Sequence, residues 1–290
     1  MDGHFYFGVG VTTYVAEGVQ GGTMGGEFTK TGLDYRPDTR VLSTDKVQVG
    51  TIGRWYKDAS GNLKTGSDGA EFYFKTIGAS ACTISFNNST TVNIAYSIDG
   101  AAFTYRAAGS SVSLTLDSST PIHIIRVIID GMAEYCGKTT GGGCTLTGVT
   151  ATGGTVYPII PNCKVIAFYG DSITEGTNTL GPDATASDNS GARSYPFYCC
   201  EALRAVSYRV AYGGSGAVAN GSLYKFSEAA YKITNSNFEN NAKIDVIVVN
   251  HGTNDMYGEA SDFETGYRAG LKAISQLYPN TPIFCMIPYA

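Results

Sequence analysis

A serine stands just past a glycine at Gly170-Asp171-Ser172-Ile173-Thr174. A small residue at that place lets the chain turn sharply, so that the Ser172 hydroxyl is exposed and its backbone N–H points into the same space. Further along, Tyr212-Gly213-Gly214-Ser215-Gly216 offers backbone with few side chains, the material of an anion nest or an oxyanion hole. A third segment, Gly252-Thr253-Asn254-Asp255, brings an amide able to donate to a developing oxyanion and a carboxylate able to tie down its loop. Taken singly, each has a plain structural counterpart: an Asp-Ser helix cap, a flexible loop in a chain with 37 Gly, and an Asx turn.

The elements around them give the combination its weight. Lys164 to Tyr169 is a short apolar run that stops at Gly170; Tyr208 to Tyr212 stops at Gly213-Gly214, and Ile244 to Asn250 at His251-Gly252. Runs of this kind are expected of strands buried on both faces of a parallel sheet. Ser194 predicts a helix cap, with Pro196 in the first turn and the helix running through Phe197, Leu203 and Ala205. Ser261 with Glu264 predicts a capping box, and Phe263, Tyr267, Leu271, Ile274 and Tyr278 mark one helical face as far as Pro279. Pro282 to Ile287 reads as a fourth strand. Strands alternating with helices predict a doubly wound parallel sheet over residues 159–290, with its site beyond the carboxyl ends of the strands. All three segments lie there.

Upstream the pattern is different. Residues 45–158 carry short alternating runs: Phe72, Phe74 and Ile77; Cys82, Ile84 and Phe86; Ile94, Tyr96 and Ile98; Val112, Leu114 and Leu116; and a nearly continuous run from Ile122 to Ile129. Asp99-Gly100 lies between two alternating stretches and predicts a hairpin turn. These runs predict an antiparallel β-sandwich of jelly-roll type. Residues 1–44, rich in Gly and Thr, read as an irregular arm or a few edge strands.

With 290 residues, a net charge of −5 and 20 Lys and Arg spread along its length, the chain lacks the basic footprint of a nucleic-acid binder. Its longest apolar runs, such as Val246-Ile247-Val248-Val249, fall short of the roughly 18 residues of a membrane span. The seven cysteines are scattered without metal-ligand spacing, so neither a zinc site nor a dense disulfide framework is expected. Free thiols are the favoured reading, with a Cys136–Cys144 bridge as the alternative. Such thiols, and a first segment without a basic region before an apolar stretch, suggest folding in a cytoplasm for work outside a cell or on a virion.

In order, spacing and strand context the three segments resemble the blocks of the SGNH, or GDSL-type, hydrolase superfamily. Its first block is matched by Gly170 to Thr174, its second-block glycine by Gly214, and its third block, G-x-N-D, by Gly252 to Asp255. A β domain directly before the first block, with Ile52-Gly53-Arg54 upstream, resembles the two-domain acetyl esterases of carbohydrate-esterase family two. The resemblance implies a serine esterase with Ser172 as nucleophile. The Ser172 and Gly214 N–H groups and the Asn254 amide would hold the oxyanion. Gly170, Asp171, Gly252, Asp255 and His251 would support the site. It implies no metal or organic cofactor, and an acetylated polysaccharide or other small-acyl ester as substrate. Tyr195 and the polar loop from Asn178 to Arg193 are candidates for the acceptor side of the cleft, although a solvated loop accounts for most of those residues.

The superfamily's general base, a His in a D-x-x-H block, has no match among His4, His123 and His251. His123 between Ile122 and Ile124 reads as structural, and His251 as structural or supporting. The expectation is therefore a hydrolase domain cut short at Ala290, completed by a downstream segment or a second chain, with a homo-oligomer also open. A carbohydrate-binding or virion-attached structural protein with an inactive hydrolase fold is the competing reading.

Overall fold

A computed structural model of the chain describes residues 33, 35–37, 46–138, 140–219, 224–233, 236–237 and 242–287. Most of residues 1–44, His4 among them, lie outside that set.

Twelve strands come first: β1 (Tyr35–Pro37), β2 (Gly50–Ile52), β3 (Tyr56–Lys57), β4 (Leu63–Thr65), β5 (Glu71–Ile77), β6 (Ala81–Phe86), β7 (Val92–Ile98), β8 (Thr104–Ala107), β9 (Ser111–Thr115), β10 (Ile122–Met132), β11 (Cys144–Thr152) and β12 (Thr155–Pro161). They form two antiparallel sheets. One runs β1-β12-β5-β10-β7-β8, with β2 also on β5, and the other β3-β4-β11-β6-β9. Phe72, Phe74, Ile84, Ile94, Val112, Ile125, Val127, Ile129 and Leu146 meet between the sheets. At the β7–β8 hairpin both Asp99 (φ 53°) and Gly100 (φ 76°) take left-handed backbone. The Ala101 N–H donates to the Ile98 carbonyl at 3.0 Å. This is the type I′ geometry that Asp-Gly favours. β1 shows that part of the first 44 residues is an edge strand.

The α/β half follows: β13 (Val165–Gly170), α1 (Ser172–Glu175), α2 (Tyr195–Leu203), β14 (Val206–Ala211), α3 (Phe226–Ala229), the two-residue strands β15 (Lys232–Ile233) and β16 (Ser236–Asn237), β17 (Val246–Asn250), α4 (Ala260–Leu277) and β18 (Ile283–Cys285). The parallel sheet is ordered β14-β13-β17-β18. Tyr169, Val210, Ile247 and Val249 pack on one face with Phe226 and Ile274 of α3 and α4. Ile166, Phe168 and Val248 pack on the other with Cys200 of α2. The sheet is therefore doubly wound, as expected. The capping box is not where Ser261 and Glu264 predicted it: α4 starts at Ala260 with Glu259 in the cap position. Ser261 sits within the first turn, where its carbonyl accepts from the Thr265 hydroxyl at 2.8 Å. All seven cysteines are free thiols, so Cys136 and Cys144 are not bridged.

The long apolar run of β10 has a physical cause. Ile125, Val127 and Ile129 face the sandwich core. The alternate face carries Arg126, Ile128 and Asp130, also buried, against the α/β half. There Arg126 makes a bidentate contact with Glu71 (2.8 and 3.1 Å) and reaches Glu201 of α2 at 2.6 Å. Asp130 accepts from the Ser190 hydroxyl at 2.6 Å and the Ala192 N–H at 2.9 Å. Arg54 of the sandwich, fully buried, likewise crosses and donates to the carbonyls of Ala230 and Lys232, each at 2.9 Å. Buried charges must be paired or hydrogen-bonded, and here each has at least one partner across the junction of the two halves.

Candidate active site

The three segments meet because their strands end level. In the parallel sheet Gly170 pairs with Ala211 on one side and with Asn250 on the other. The turns that follow therefore emerge side by side at one edge, the place where open α/β sheets bind ligands.

The first turn is tightly built. A Cβ on Gly170 would lie 2.0 Å from the Thr174 hydroxyl, so only glycine lets α1 fold back onto its strand. Asp171 caps α1 by accepting from the Ile173 N–H at 3.0 Å. Burial pushes its carboxyl up to about 6, while bonds from the Ile173 amide and the Thr253 hydroxyl work the other way. The contact with Thr253 ties the first turn to the third. Thr174 pairs with the Tyr195 hydroxyl at 2.9 Å. Ser172, half-buried, is the first residue of α1, and the left-handed Gly176 ends the helix.

The second and third turns are interlocked. Asn254 donates from Nδ2 to the Ser215 carbonyl at 2.8 Å. A primary amide has two N–H groups, so this contact engages one of them. The Asp255 carboxylate accepts from three successive N–H groups, Ala217 at 2.7 Å and Val218 and Ala219 at 2.9 Å. A Cβ at Gly216 would come within 2.5 Å of that carboxylate, so the glycine makes the nest possible. Gly214 (φ 71°) and Gly252 (φ 138°) both take backbone that other residues adopt at a cost.

His251 directly follows β17 and is buried, with its ring 4.6 Å from that of Phe226. Burial holds it neutral with a pKa near 4, against the opposing pull of the Ser215 backbone and the Asp255 charge. His123 lies in the sandwich between Asp99 Oδ2 (2.6 Å) and the Asp117 carbonyl (2.9 Å), fastening the β7–β8 turn. Tyr195, a candidate for the acceptor side of the cleft, instead directs its hydroxyl to Thr174 beneath the first turn. Part of the loop from Asn178 to Arg193 is likewise internal. Asn189 and Ser190 are buried, and the Asn189 amide donates to the Met132 carbonyl at 2.7 Å.

One cluster escaped the sequence reading. Lys138, from the loop after β10, is fully buried and pairs with Glu175 of α1, with Asp68 at 3.3 Å and with Glu134 at 3.8 Å. Three carboxylates face one ammonium. Burial pushes Glu175 up to about 8 and Asp68 to about 6 although Lys138 opposes both shifts. The Thr177 hydroxyl bridges Glu134 (3.4 Å) and Glu175 (3.3 Å). The only signal in the sequence was Glu175 itself, a charged residue directly after the first block. Among the described residues no group of three His, Cys, Asp or Glu is arranged to hold a metal ion, and no helix is long and apolar enough to cross a membrane.

Known proteins place the chain. No curated protein matches it. Among solved structures, a family two carbohydrate esterase from Clostridium thermocellum in complex with cellohexaose matches with a TM-score of 0.68 at 20% identity, covering 82% of this chain and 76% of that one. A family two carbohydrate esterase from Cellvibrio japonicus gives 0.68 at 18% identity, over 88% and 79%. An acetyl xylan esterase from the rumen bacterium Butyrivibrio proteoclasticus gives 0.65 at 19%, over 87% and 80%. These likenesses extend over sandwich and α/β half together and establish the shared fold. Residues 168–290, which hold all three turns, match the model of the GDSL-like Lipase/Acylhydrolase family, and the resemblance read from the blocks stands.

Proposed function

We propose that the protein is a serine esterase that removes acetyl or other short acyl groups from a carbohydrate polymer. The observation that carries this reading is the level convergence of the three turns at one sheet edge, with Ser172 opening α1 between them. The carbohydrate esterases that share the fold support the choice of substrate class.

In the reaction, Ser172 Oγ attacks the acyl carbonyl carbon and its proton passes to a base. The charge on the carbonyl oxygen is met by the Ser172 and Gly214 N–H groups and the second N–H of the Asn254 amide. Each donor of this kind is worth about 3 kcal/mol in the transition state. The tetrahedral intermediate collapses, the sugar oxygen leaves with a proton, and water then hydrolyses the acyl-serine. His123 is hydrogen-bonded within the sandwich, and His251 is buried and packed on the Phe226 ring. We therefore assign the base to the D-x-x-H block implied by the resemblance, carried by a further segment or by a second chain. Asp171 and Asp255 hold the turns together and do not touch the ester.

The test is turnover of acetylated xylan, acetylated cellulose oligomers and 4-nitrophenyl acetate. Ser172→Ala should lose at least 1,000-fold in kcat, of the order expected for loss of a nucleophile. Asn254→Ala should lose about 100-fold with KM little changed. If the wild type turns over none of these and Ser172 resists a fluorophosphonate, the reading fails.

A further inference from the structure

The sandwich does more than lie beside the hydrolase fold: its β10–β11 loop passes beneath the turns of the site. Glu134 and Lys138 both belong to the segment that leaves β10. Lys138 carries its ammonium to Glu175, the last residue of the single helical turn that Ser172 begins. The Glu175 main chain is held from the other side, its carbonyl accepting from buried Arg209 at 3.2 Å. Glu134 lies beneath the second turn. A Cβ added to Gly213 would fall 2.1 Å from Glu134 Oε1, so the carboxylate is pressed against the backbone next to Gly214. Thr177 then joins the Glu134 and Glu175 carboxylates to each other. Two of the three proposed oxyanion donors, the Ser172 and Gly214 N–H groups, thus rest on one buried cluster supplied mainly by the sandwich.

We propose that Glu134 and Lys138 are positioning residues for acyl transfer: Lys138 fixes the Ser172 turn through Glu175, and Glu134 fixes the Gly213-Gly214 turn. This rests on the esterase reading for its effect on rate but not for its effect on geometry. A helix of one turn makes too few backbone bonds to hold itself, and a pair of glycines supplies no packing of its own. Oxyanion donors act only when they are fixed before the charge develops. The two turns therefore need rigidity from outside their own sequence, and the cluster is in contact with both.

Glu134→Gln separates positioning from folding, because it keeps the shape and leaves Lys138 facing two carboxylates. On 4-nitrophenyl acetate it should lower kcat about tenfold, with KM within twofold and a thermal midpoint within a few degrees of wild type. Amide exchange followed by mass spectrometry should quicken at least fivefold in peptides spanning 170–177 and 212–216, with peptides of β5 and β7 unchanged. Lys138→Met should do the same more strongly; where it folds poorly, Lys138→Met combined with Asp68→Asn removes a buried carboxylate together with the ammonium and becomes the readable variant. Unchanged kcat and unchanged exchange in a folded Glu134→Gln would overturn the proposal. So would a loss of kcat accompanied by uniform exchange throughout the chain, the signature of general destabilisation. If the wild type hydrolyses no acetyl ester, the esterase reading falls and the exchange measurement alone decides whether these residues hold the turns.

Discussion

Arg126 and Lys138, two of the buried cations that join the sandwich to the α/β half, do so differently. Arg126 presents a planar fork to Glu71 and Glu201 and is covered by aromatic rings, with its guanidinium carbon 5.3 Å from the Phe103 centroid and 5.7 Å from that of Phe197. Lys138 is a point charge among Asp68, Glu134 and Glu175. The fork sets direction through fixed donors, whereas the ammonium sets only charge. None of the Arg126 partners touches the three turns; two of the Lys138 partners do. One junction is structural cement, and the other is placed to affect chemistry.

The largest effect should come from Arg126→Met, which leaves Glu71 and Glu201 buried without their cation. Urea unfolding should show a loss of about 3–5 kcal/mol, while kcat per folded molecule stays within twofold. A fall in kcat as large as that of Glu134→Gln would erase the distinction between the two junctions.

A smaller effect is expected from pH. The folded pKa of Glu175 lies above the ordinary carboxyl value, at about 8. Its proton therefore favours the folded chain at low pH, and that contribution is lost as pH rises toward and through 8. Above about pH 7 the raised Asp68 and Asp171 carboxyls are mostly ionised. His251, depressed to about 4 in the folded chain from an ordinary value of 6.5, is mostly neutral in both states there. His123, where burial is outweighed by the Asp117 and Asp99 contacts, is raised on folding and adds a loss of the same sign. Stability should then fall between pH 7 and 8, with Glu175 contributing at most about 1.4 kcal/mol per pH unit. Glu175→Gln should flatten that slope and Arg126→Met should leave it in place; denaturation at several pH values reads both.

The smallest effect provides the baseline. Glu264 and Arg268 pair at 2.8 Å on the exposed face of α4. Glu264→Gln should cost less than about 0.5 kcal/mol, with no change in kcat or in the pH slope.

These contrasts bear on what a sequence can display. The three turns were legible because each motif coincides with the end of an apolar run, so local pattern and position in the sheet agree. The Asp99-Gly100 hairpin was legible for the same reason. The strand Cys144–Thr152 was not singled out: Gly148 interrupts it and much of its length is half exposed, so no apolar alternation marks it. The start of α4 was misplaced by two residues because cap signals compete within a turn, and Glu259 took the position that Ser261 predicted. Lys138 lies in a glycine-rich loop and has no periodicity to betray it. Its role depends on residues 70 positions before it and 37 after it, and contacts at that separation leave no trace in local spacing. The near-continuous run of β10 did carry a hint, since a strand of a sandwich needs two buried faces only when something covers the second.

Arg54 gives the arrangement an evolutionary consequence. It leaves the sandwich, crosses the junction and ends on the carbonyls of Ala230 and Lys232, deep among the tyrosines of the α/β half. A recombination event that moved residues 159–290 into another gene would leave those carbonyls, Glu175 and Glu201 without their partners. A sandwich inherited alone would leave Arg54 without its carbonyls, Arg126 without Glu201 and Lys138 without Glu175. The two halves should therefore be inherited as a unit, and lineages that shed one are expected to have first replaced these three cations with uncharged residues.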